Sequence, residues 1–246
     1  MIHYFGMDNS VKSSFSNASS TYESKSQLQQ QVHQELLDNL AQFKMLKSPR
    51  RILDLGCGTG QGSEKLQNQF ETVPVLGIDF APDMINFARE HHRNPFIQYD
   101  CQNILELKLD HLYDLIFSNA TLHWCVPQDK AIKLIKQYLN SDSTLAFSAF
   151  GPRTFWELGD CISRISAQST PLISQTFWPE QHWETLLKDN FKTVHIKAHT
   201  ITKEFDSLID LLCHIKYTGT RGPVQQRSFW TPGFLKKCQA EFQKSF

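Results

Sequence analysis

The sequence has no excess charge of either sign, no closely spaced cysteine pairs and no long apolar run. Its 246 residues carry 25 basic and 25 acidic side chains, so the formal net charge is zero. This balance argues against a nucleic-acid partner held by bulk electrostatics. An apolar run long enough to cross a membrane is absent, and the lack of C-x-x-C pairs gives no indication of a metal site.

The cysteines and the chain length narrow the class of protein further. No signal-peptide pattern appears at the start of the sequence, so we expect reduced thiols in a cytoplasmic protein. The length suits a single α/β domain with a large core and a modest addition. The six scattered cysteines are Cys57, Cys101, Cys125, Cys161, Cys213 and Cys238.

A glycine-rich turn directly after an apolar segment is the most informative stretch of the chain. Residues 52–55 predict a buried strand of a parallel sheet, and a helical pattern begins at Ser63. Glycines without Cβ allow the backbone to bend sharply and to approach a bound molecule, and the helix start adds free N–H groups. The turn therefore predicts a ligand cradle, with glycines at Gly56, Gly58, Gly60 and Gly62.

The spacing of these glycines excludes some of the ligands that glycine-rich turns bind. A dinucleotide fingerprint needs a glycine where Gln61 or Ser63 stands, and no G-K-[ST] follows for a phosphate loop. A carboxylate at Asp54 would repel a pyrophosphate but attract, directly or through water, the ammonium group of a methionine moiety. We therefore expect S-adenosylmethionine, held around Asp54, Gly56, Cys57 and Gly58.

Three further strands place polar side chains at the same edge of the expected sheet. Strand 73–79 ends in Asp79, which can accept hydrogen bonds from both ribose hydroxyls of an adenosine. Strand 95–100 ends in Asp100 and is followed by Cys101, where a side-chain acceptor can meet an adenine amino group. Strand 113–119 brings Asn119 to the edge where open α/β sheets bind ligands.

With a fifth strand at 144–151, the repeats predict a doubly wound, mostly parallel sheet. Residues 1–25 are polar and read as a flexible segment in which Tyr22 can fold over the ligand. An amphipathic helix is expected from residue 26. A single domain then extends from residue 26 to 246. It consists of a cofactor half at 50–150 and a lid and substrate half at 151–246. In the second half we expect an inserted helical lid, a strand at 191–198, a helix from 205 and a last helix from 234.

These residues resemble class I S-adenosylmethionine-dependent methyltransferases over residues 50–150. The motif 52–60, the strand-ending Asp79, and Asp114 with 117–119 carry the resemblance. Within that group the chain resembles the malonyl-[acyl-carrier-protein] O-methyltransferases of biotin synthesis, through residues 15–18 with Tyr22, 118–125, 154–158 and 214–219. Such enzymes usually end with a strand pairing beside the one expected at 191–198, and no such strand is evident here.

The resemblance implies methyl transfer to the free carboxylate of a malonyl group on acyl carrier protein or coenzyme A. A carboxylate is ionised at neutral pH, so no catalytic base is required, and His123 is a weak candidate for one. Holding the substrate carboxylate in a dry pocket requires a cation. Arg153 is the first candidate, with Lys216 and Arg221 as alternatives, and Tyr22 is expected beside it in the catalytic region.

Two other classes of function remain open at this stage. The chain can be a methyltransferase for another small-molecule carboxylate, since the cofactor half is shared and the lid differs. It can also be a non-catalytic protein that binds S-adenosylmethionine, for which the missing last strand is the one indication. The oligomeric state does not follow from the sequence.

Overall fold

A five-stranded parallel sheet lies at the centre of the computed structural model, which describes residues 9–43, 48–166, 172–218 and 231–245. The strand order is β3-β2-β1-β4-β5, and every neighbouring pair is parallel. This confirms the doubly wound sheet expected from the alternating repeats. The strands are β1 Ile52–Leu55, β2 Val75–Asp79, β3 Ile97–Cys101, β4 Tyr113–Ser118 and β5 Leu139–Phe147.

Helices precede, alternate with and follow the strands. Short 3-10 turns at Ile104–Glu106, Leu122–Trp124 and Ile173–Thr176 complete the described secondary structure. The helices are α1 Asn9–Lys25, α2 Gln27–Gln42, α3 Gln61–Gln69, α4 Pro82–His91, α5 Gln128–Lys136, α6 Trp156–Ile165, α7 Glu180–Asn190, α8 Leu208–Tyr217 and α9 Pro232–Ser245. None of the helices in the described part of the chain has the length and apolarity needed to cross a membrane.

The sheet is covered on both faces, which explains why its strands are almost continuously apolar. On one face Leu53 and Ile116 pack with Ile132 of α5 and Trp183 of α7. On the other face Ile52 and Phe117 belong to a cluster that includes side chains of α2, α3 and α4. The order of the strands reverses between β1 and β4, and the carboxyl ends there are where such sheets bind ligands.

A third apolar cluster lies outside the sheet and belongs to the second half of the chain. It joins α6, α8 and α9 through Leu158, Cys161, Leu208, Leu211 and Cys238. The Cys161 thiol lies 3.3 Å from the Cys238 carbonyl oxygen, and all six cysteines are free thiols. Of these helices, α6 lies in the segment where the sequence predicts an inserted helical lid, and α8 and α9 belong to the same cluster; we call the three the lid helices.

The N-terminal segment differs from the expected flexible chain, because residues 9–25 form helix α1. Val11, Phe15, Ala18 and Tyr22 repeat at helical spacing, and Val11 and Ala18 are buried. Phe15 packs edge-on against the ring of Trp124 at 5.9 Å. The segment is polar overall but has one narrow apolar face, which suffices because α4 and α8 cover it. Residues 1–8 lie outside the described part.

The strand expected at 191–198 does not form, so that prediction is wrong. Phe191 and Val194 pack against the core, but Ile196 and Ala198 are exposed, so burial does not follow the alternation of the sequence. His195 stacks on Phe43 at 4.6 Å, and His199 lies 3.1 Å from Glu35. A strand also needs a backbone partner, and in the described residues nothing pairs with the outer edge of β5. The fifth strand itself is displaced to 139–147 from the expected 144–151.

Helix α1 is held to the sheet domain by a histidine between two carboxylates. His92, at the end of α4, lies 2.7 Å from Glu23 of α1 and 2.9 Å from Glu64 of α3. Partial burial alone would lower the pKa of His92, but the hydrogen bonds and charges of Glu23 and Glu64 outweigh burial and raise it. A raised pKa means that the contact stabilises α1 most when His92 is charged, and that this stabilisation is lost as pH rises through the raised value.

We expect His92→Ala to reduce amide-exchange protection in α1, by at most about 1 kcal/mol because Glu23 and Glu64 are both partly exposed to solvent. In the wild-type protein that protection should fall from mildly acidic to mildly alkaline pH after correction for intrinsic exchange, and the variant should lose this dependence. Hydrogen exchange of residues 9–25 measures both. His91→Ala is the matched control, because His91 contacts Phe87 instead of a carboxylate. Equal pH dependence in both variants would refute the role of His92.

Candidate functional site

The glycine turn after β1 has a backbone that only glycine adopts readily. Gly56, Gly58 and Gly60 have φ values of 75°, 55° and 92°, in the left-handed region. A Cβ on Gly56 would lie 2.1 Å from the Thr121 hydroxyl oxygen, whereas a Cβ on Gly58 would meet only Tyr22, at 3.9 Å. Gly58 therefore faces open space, and the absence of its side chain leaves room for a ligand.

Two buried carboxylates stand beside this turn. Asp79 ends β2 and accepts hydrogen bonds from the amides of Gly58 at 3.1 Å and Ala81 at 2.9 Å. Asp54 in β1 accepts one from the Ser63 hydroxyl at 2.7 Å. Burial raises the pKa of Asp79 to about 6 and that of Asp54 to about 7. A cationic ligand would favour the ionised form of both groups.

A cavity, here called the glycine-turn cavity, opens between the turn and the two N-terminal helices. Of its described lining residues, Lys65 alone carries a full positive charge. Burial, followed by the field of Asp79, raises the pKa of Tyr22, so its hydroxyl is neutral. The cavity is lined by Tyr22, Ser26, Gln29, Gln30, His33, Asp54, Gly56, Cys57, Gly58, Thr59, Gln61, Gly62, Lys65 and Asn119.

Two of the expected site residues, Asn119 and Asp100, have polar groups that are already engaged. Asn119 lines the cavity, but its amide donates to the Gln29 carbonyl at 2.8 Å and accepts from Ser148 at 2.7 Å. Asp100 accepts from the Cys101 amide at 2.8 Å and from the Gln102 side chain at 2.7 Å. Cys101 is exposed, and β3 places it in register with Asp79. Asp100 and Cys101 thus flank Asp79 without lining the cavity.

A second cavity, here called the apolar cavity, lies under the lid helices. Gln29 lines both cavities, and its Oε1 is buried without a hydrogen-bond partner. His123 and Ser174 also contribute buried polar atoms that have no partner. The apolar cavity is lined by Leu28, Gln29, His123, Trp124, Phe150, Thr154, Phe155, Leu158, Leu172, Ile173, Ser174, Phe177, His214 and Ile215.

Arg153 and Lys216, two of the basic residues expected to hold a substrate carboxylate, line neither cavity. Arg153 is exposed, in a turn whose next two residues, Thr154 and Phe155, line the apolar cavity. Lys216 is exposed and its ammonium lies over the Tyr217 ring at 5.4 Å. Arg221 lies outside the described residues. Arg153 and Lys216 are thus both adjacent in the chain to residues of the apolar cavity wall, Arg153 through Thr154 and Lys216 through Ile215.

Residues of α2 form a wall of the site that the sequence reasoning missed. The sequence predicts an apolar face made of Leu28, Val32, Leu36, Leu37, Leu40 and Phe43. The buried residues are instead Gln29, His33, Leu37 and Leu40, which also follow helical spacing. The sequence did contain an indication of this face: Gln29 and His33 lie at helical spacing from Leu37 and Leu40. The two polar side chains face the cavity because a helix that borders a polar ligand needs polar atoms there.

Comparisons with known proteins agree with this geometry. A family model described as "Methyltransferase domain" matches residues 46–213. The malonyl-[acyl-carrier protein] O-methyltransferase of Bacillus anthracis is 28% identical over 236 residues, which are 94% of this chain and 88% of that protein. The protein of the same name from Acetivibrio thermocellus is 31% identical over 226 residues, 87% of this chain and 78% of that one.

A solved structure supports the fold independently of close sequence similarity. It is a chain of the complex between the Haloferax volcanii Trm112 methyltransferase activator and a methyltransferase. The two folds superpose with a TM-score of 0.59, over 73% of this chain and 75% of that chain, at 15% identity. The family model covers more than half of this chain, and the relative from Acetivibrio thermocellus exceeds 30% identity. The protein therefore belongs to the methyltransferase-domain family and is an enzyme of that kind.

Proposed function

We propose that this enzyme transfers a methyl group from S-adenosylmethionine to the free carboxylate of a malonyl thioester on acyl carrier protein. The observation that carries the proposal is a glycine cradle with two buried carboxylates, adjoining an apolar cavity through Gln29. Relatives named for this reaction align with most of the chain. A malonyl thioester of coenzyme A presents the same reacting group and is the second acceptor to test.

The residues of the glycine-turn cavity fit S-adenosylmethionine. Open space above Gly58 accommodates a ligand next to the backbone. Within the cavity, Asp54 offers a buried carboxylate to an ammonium group and Lys65 offers a cation to a carboxylate. Asp79 does not line the cavity, but it ends β2 beside the turn, where its carboxylate offers acceptors to ribose hydroxyls. The neutral Tyr22 ring closes the cavity from the side of α1 and limits access of water.

The chain has to position and dehydrate the reactants, since no proton must be removed. S-adenosylmethionine supplies a methyl group activated by its sulfonium. The malonyl carboxylate is ionised at neutral pH and is the nucleophile. Alignment of two reacting groups at contact distance contributes on the order of 7 kcal/mol or more. The lid helices and the aromatic wall of the apolar cavity exclude water from the acceptor.

Arg153 is our proposed partner for the acceptor carboxylate, with Tyr22 lining the opposite part of the site. Its turn follows β5 and leads directly into the wall of the apolar cavity. A guanidinium forms two parallel hydrogen bonds to a carboxylate, which neutralises the charge and orients it. Rotation of this exposed side chain toward the bound acceptor is the movement that the proposal requires.

Methyl transfer from labelled S-adenosylmethionine tests the proposal. Malonyl, succinyl and acetyl thioesters of acyl carrier protein and of coenzyme A are the acceptors. We expect turnover with malonyl thioesters, much less with succinyl, and none with acetyl, which has no free carboxylate. Tight cofactor binding without transfer to any carboxylated thioester would contradict the proposed reaction.

We expect Gly58→Val to weaken binding of S-adenosylmethionine by at least tenfold. The new side chain would occupy the ligand's space, and the positive φ would add strain. Titration calorimetry measures the affinity, and the thermal unfolding midpoint separates binding from folding. Gly233→Val is the matched control, because nothing lies within 4 Å of its Cβ position. Normal affinity in Gly58→Val would show that the turn is not the cradle.

A further inference from the structure

His123 is a buried histidine whose ring forms part of the apolar cavity wall. It follows β4 in a 3-10 turn and is 2% exposed. The rings of Trp124, Phe150 and Phe177 surround it at centroid distances of 5.2, 5.3 and 4.5 Å. An apolar residue would fill this position equally well by packing alone. The polar ring atoms therefore need an explanation.

The hydrogen bonding of His123 defines which ring nitrogen carries the proton. The Phe150 amide donates to Nδ1 at 3.4 Å, so Nδ1 is an acceptor. Burial lowers the pKa of His123 to about 3, which keeps the ring neutral near pH 7. A neutral ring that accepts at Nδ1 carries its hydrogen on Nε2. That nitrogen is buried and has no partner in the described structure.

The charge of the surrounding wall limits what Nε2 can bind. Burial, followed by Lys203 and Lys25, lowers the pKa of His214 to about 4, so the second histidine of the wall is also neutral. No described lining residue of the apolar cavity then carries a formal charge near neutral pH. Burying a carboxylate there would leave it unpaired, which is costly, whereas a neutral carbonyl satisfies the unused N–H.

We propose that His123 Nε2–H donates a hydrogen bond to the thioester carbonyl oxygen of the acceptor. This contact would fix the acyl group in the apolar cavity with its carboxylate end directed past Gln29 to the glycine-turn cavity. His123 is then a positioning residue that selects acyl thioesters. The inference rests on the proposed function for the identity of the acceptor, although carbonyl binding can be tested without turnover.

The first test compares two acceptors that differ only at the carbonyl. These are the malonyl thioester of N-acetylcysteamine and the 2-carboxyethyl thioether, in which CH₂ replaces C=O. We expect the wild-type kcat/KM to favour the thioester by about tenfold, the worth of one hydrogen bond to a buried group. His123→Phe should abolish this preference mainly through KM, and His123→Gln, which retains an N–H donor, should restore part of it.

His214→Phe is the matched control, because it replaces the other histidine of the same wall. We expect it to keep the thioester preference. Cofactor affinity should be unchanged in all three variants, which excludes general misfolding. The inference would be overturned if His123→Phe retained the thioester preference. It would also be overturned if His214→Phe lost that preference.

A binding experiment separates this inference from the proposed reaction. S-acetyl-N-acetylcysteamine has the carbonyl but no carboxylate, and S-ethyl-N-acetylcysteamine lacks both. We expect the wild-type protein, saturated with S-adenosylhomocysteine, to bind the acetyl compound more tightly, and His123→Phe to bind both alike. If no malonyl thioester is methylated but this difference holds, the proposed reaction fails and the carbonyl contact stands. Equal wild-type binding of both compounds would refute the contact.

Discussion

Arg153→Ala is expected to lower kcat/KM for malonyl thioesters by two or more orders of magnitude. The acceptor carboxylate must be neutralised when it leaves water, and burying it unpaired costs several kcal/mol. The described walls of the apolar cavity offer no full positive charge, so the cation has to come from an adjoining segment. Two described segments adjoin that wall: the turn that carries Arg153, which is our first candidate, and the end of α8 that carries Lys216. Initial rates over a range of acceptor concentrations measure the effect.

Two further variants give this prediction its controls. Arg153→Lys should recover only part of the loss, because an ammonium supplies charge without the bidentate fork. Arg93→Ala, at an exposed arginine beyond α4, should leave kcat/KM unchanged. Cofactor affinity should barely change in any of the three. Near wild-type efficiency in Arg153→Ala would mean that another residue holds the carboxylate, and Lys216 would be tested next.

Asp79→Ala is expected to weaken S-adenosylmethionine binding by about 1.5 to 3 kcal/mol, roughly 10- to 150-fold in Kd. The carboxylate is fixed by the amides of Gly58 and Ala81, so its position does not have to be organised upon binding. Charge-assisted hydrogen bonds to two ribose hydroxyls would be lost. Asp79→Asn, which keeps one acceptor oxygen, should recover part of the affinity. Titration calorimetry distinguishes the variants.

The raised pKa of Asp79 adds a pH dependence with a defined sign. A carboxylate with a pKa of about 6 becomes protonated as pH falls below that value, and its protonated form is a poorer acceptor. Wild-type affinity should therefore fall toward acidic pH, and Asp79→Ala should show a weaker dependence. Asp83→Asn, at an exposed carboxylate in the first turn of α4, is the matched control. An unchanged Kd in Asp79→Ala would remove this residue from the site.

The cofactor half of the fold could be predicted because its information is local. Apolar strands covered on both faces, helices at regular spacing and the glycine turn each leave a pattern within about ten residues. The glycine at position 56 is visible in the sequence, but the collision of a Cβ with Thr121 that requires it is visible only in the structure. The placement of Asp54 and Asp79 beside that turn follows from parallel strands ending at one edge.

The second half of the site depends on contacts between distant segments, which the sequence does not display. Helix α1 forms because α4 and α8 cover its narrow apolar face, and the polar composition of the segment concealed that face. The alternation at 191–198 indicates neither the burial, which is confined to Phe191 and Val194, nor a backbone partner. Gln29 lines both cavities because the buried face of α2 lies one residue further along the sequence than predicted, with Gln29 and His33 buried in place of Leu28 and Val32.

The most direct measurement is the mass of the product formed on malonyl-acyl carrier protein. The purified enzyme would be incubated with that acceptor and S-adenosylmethionine, and the intact carrier protein analysed by mass spectrometry. We expect the malonyl form to gain one CH₂ unit. Acetyl-acyl carrier protein should remain unchanged. A malonyl form that stays unmodified while the enzyme binds the cofactor would contradict methyl transfer to the malonyl carboxylate.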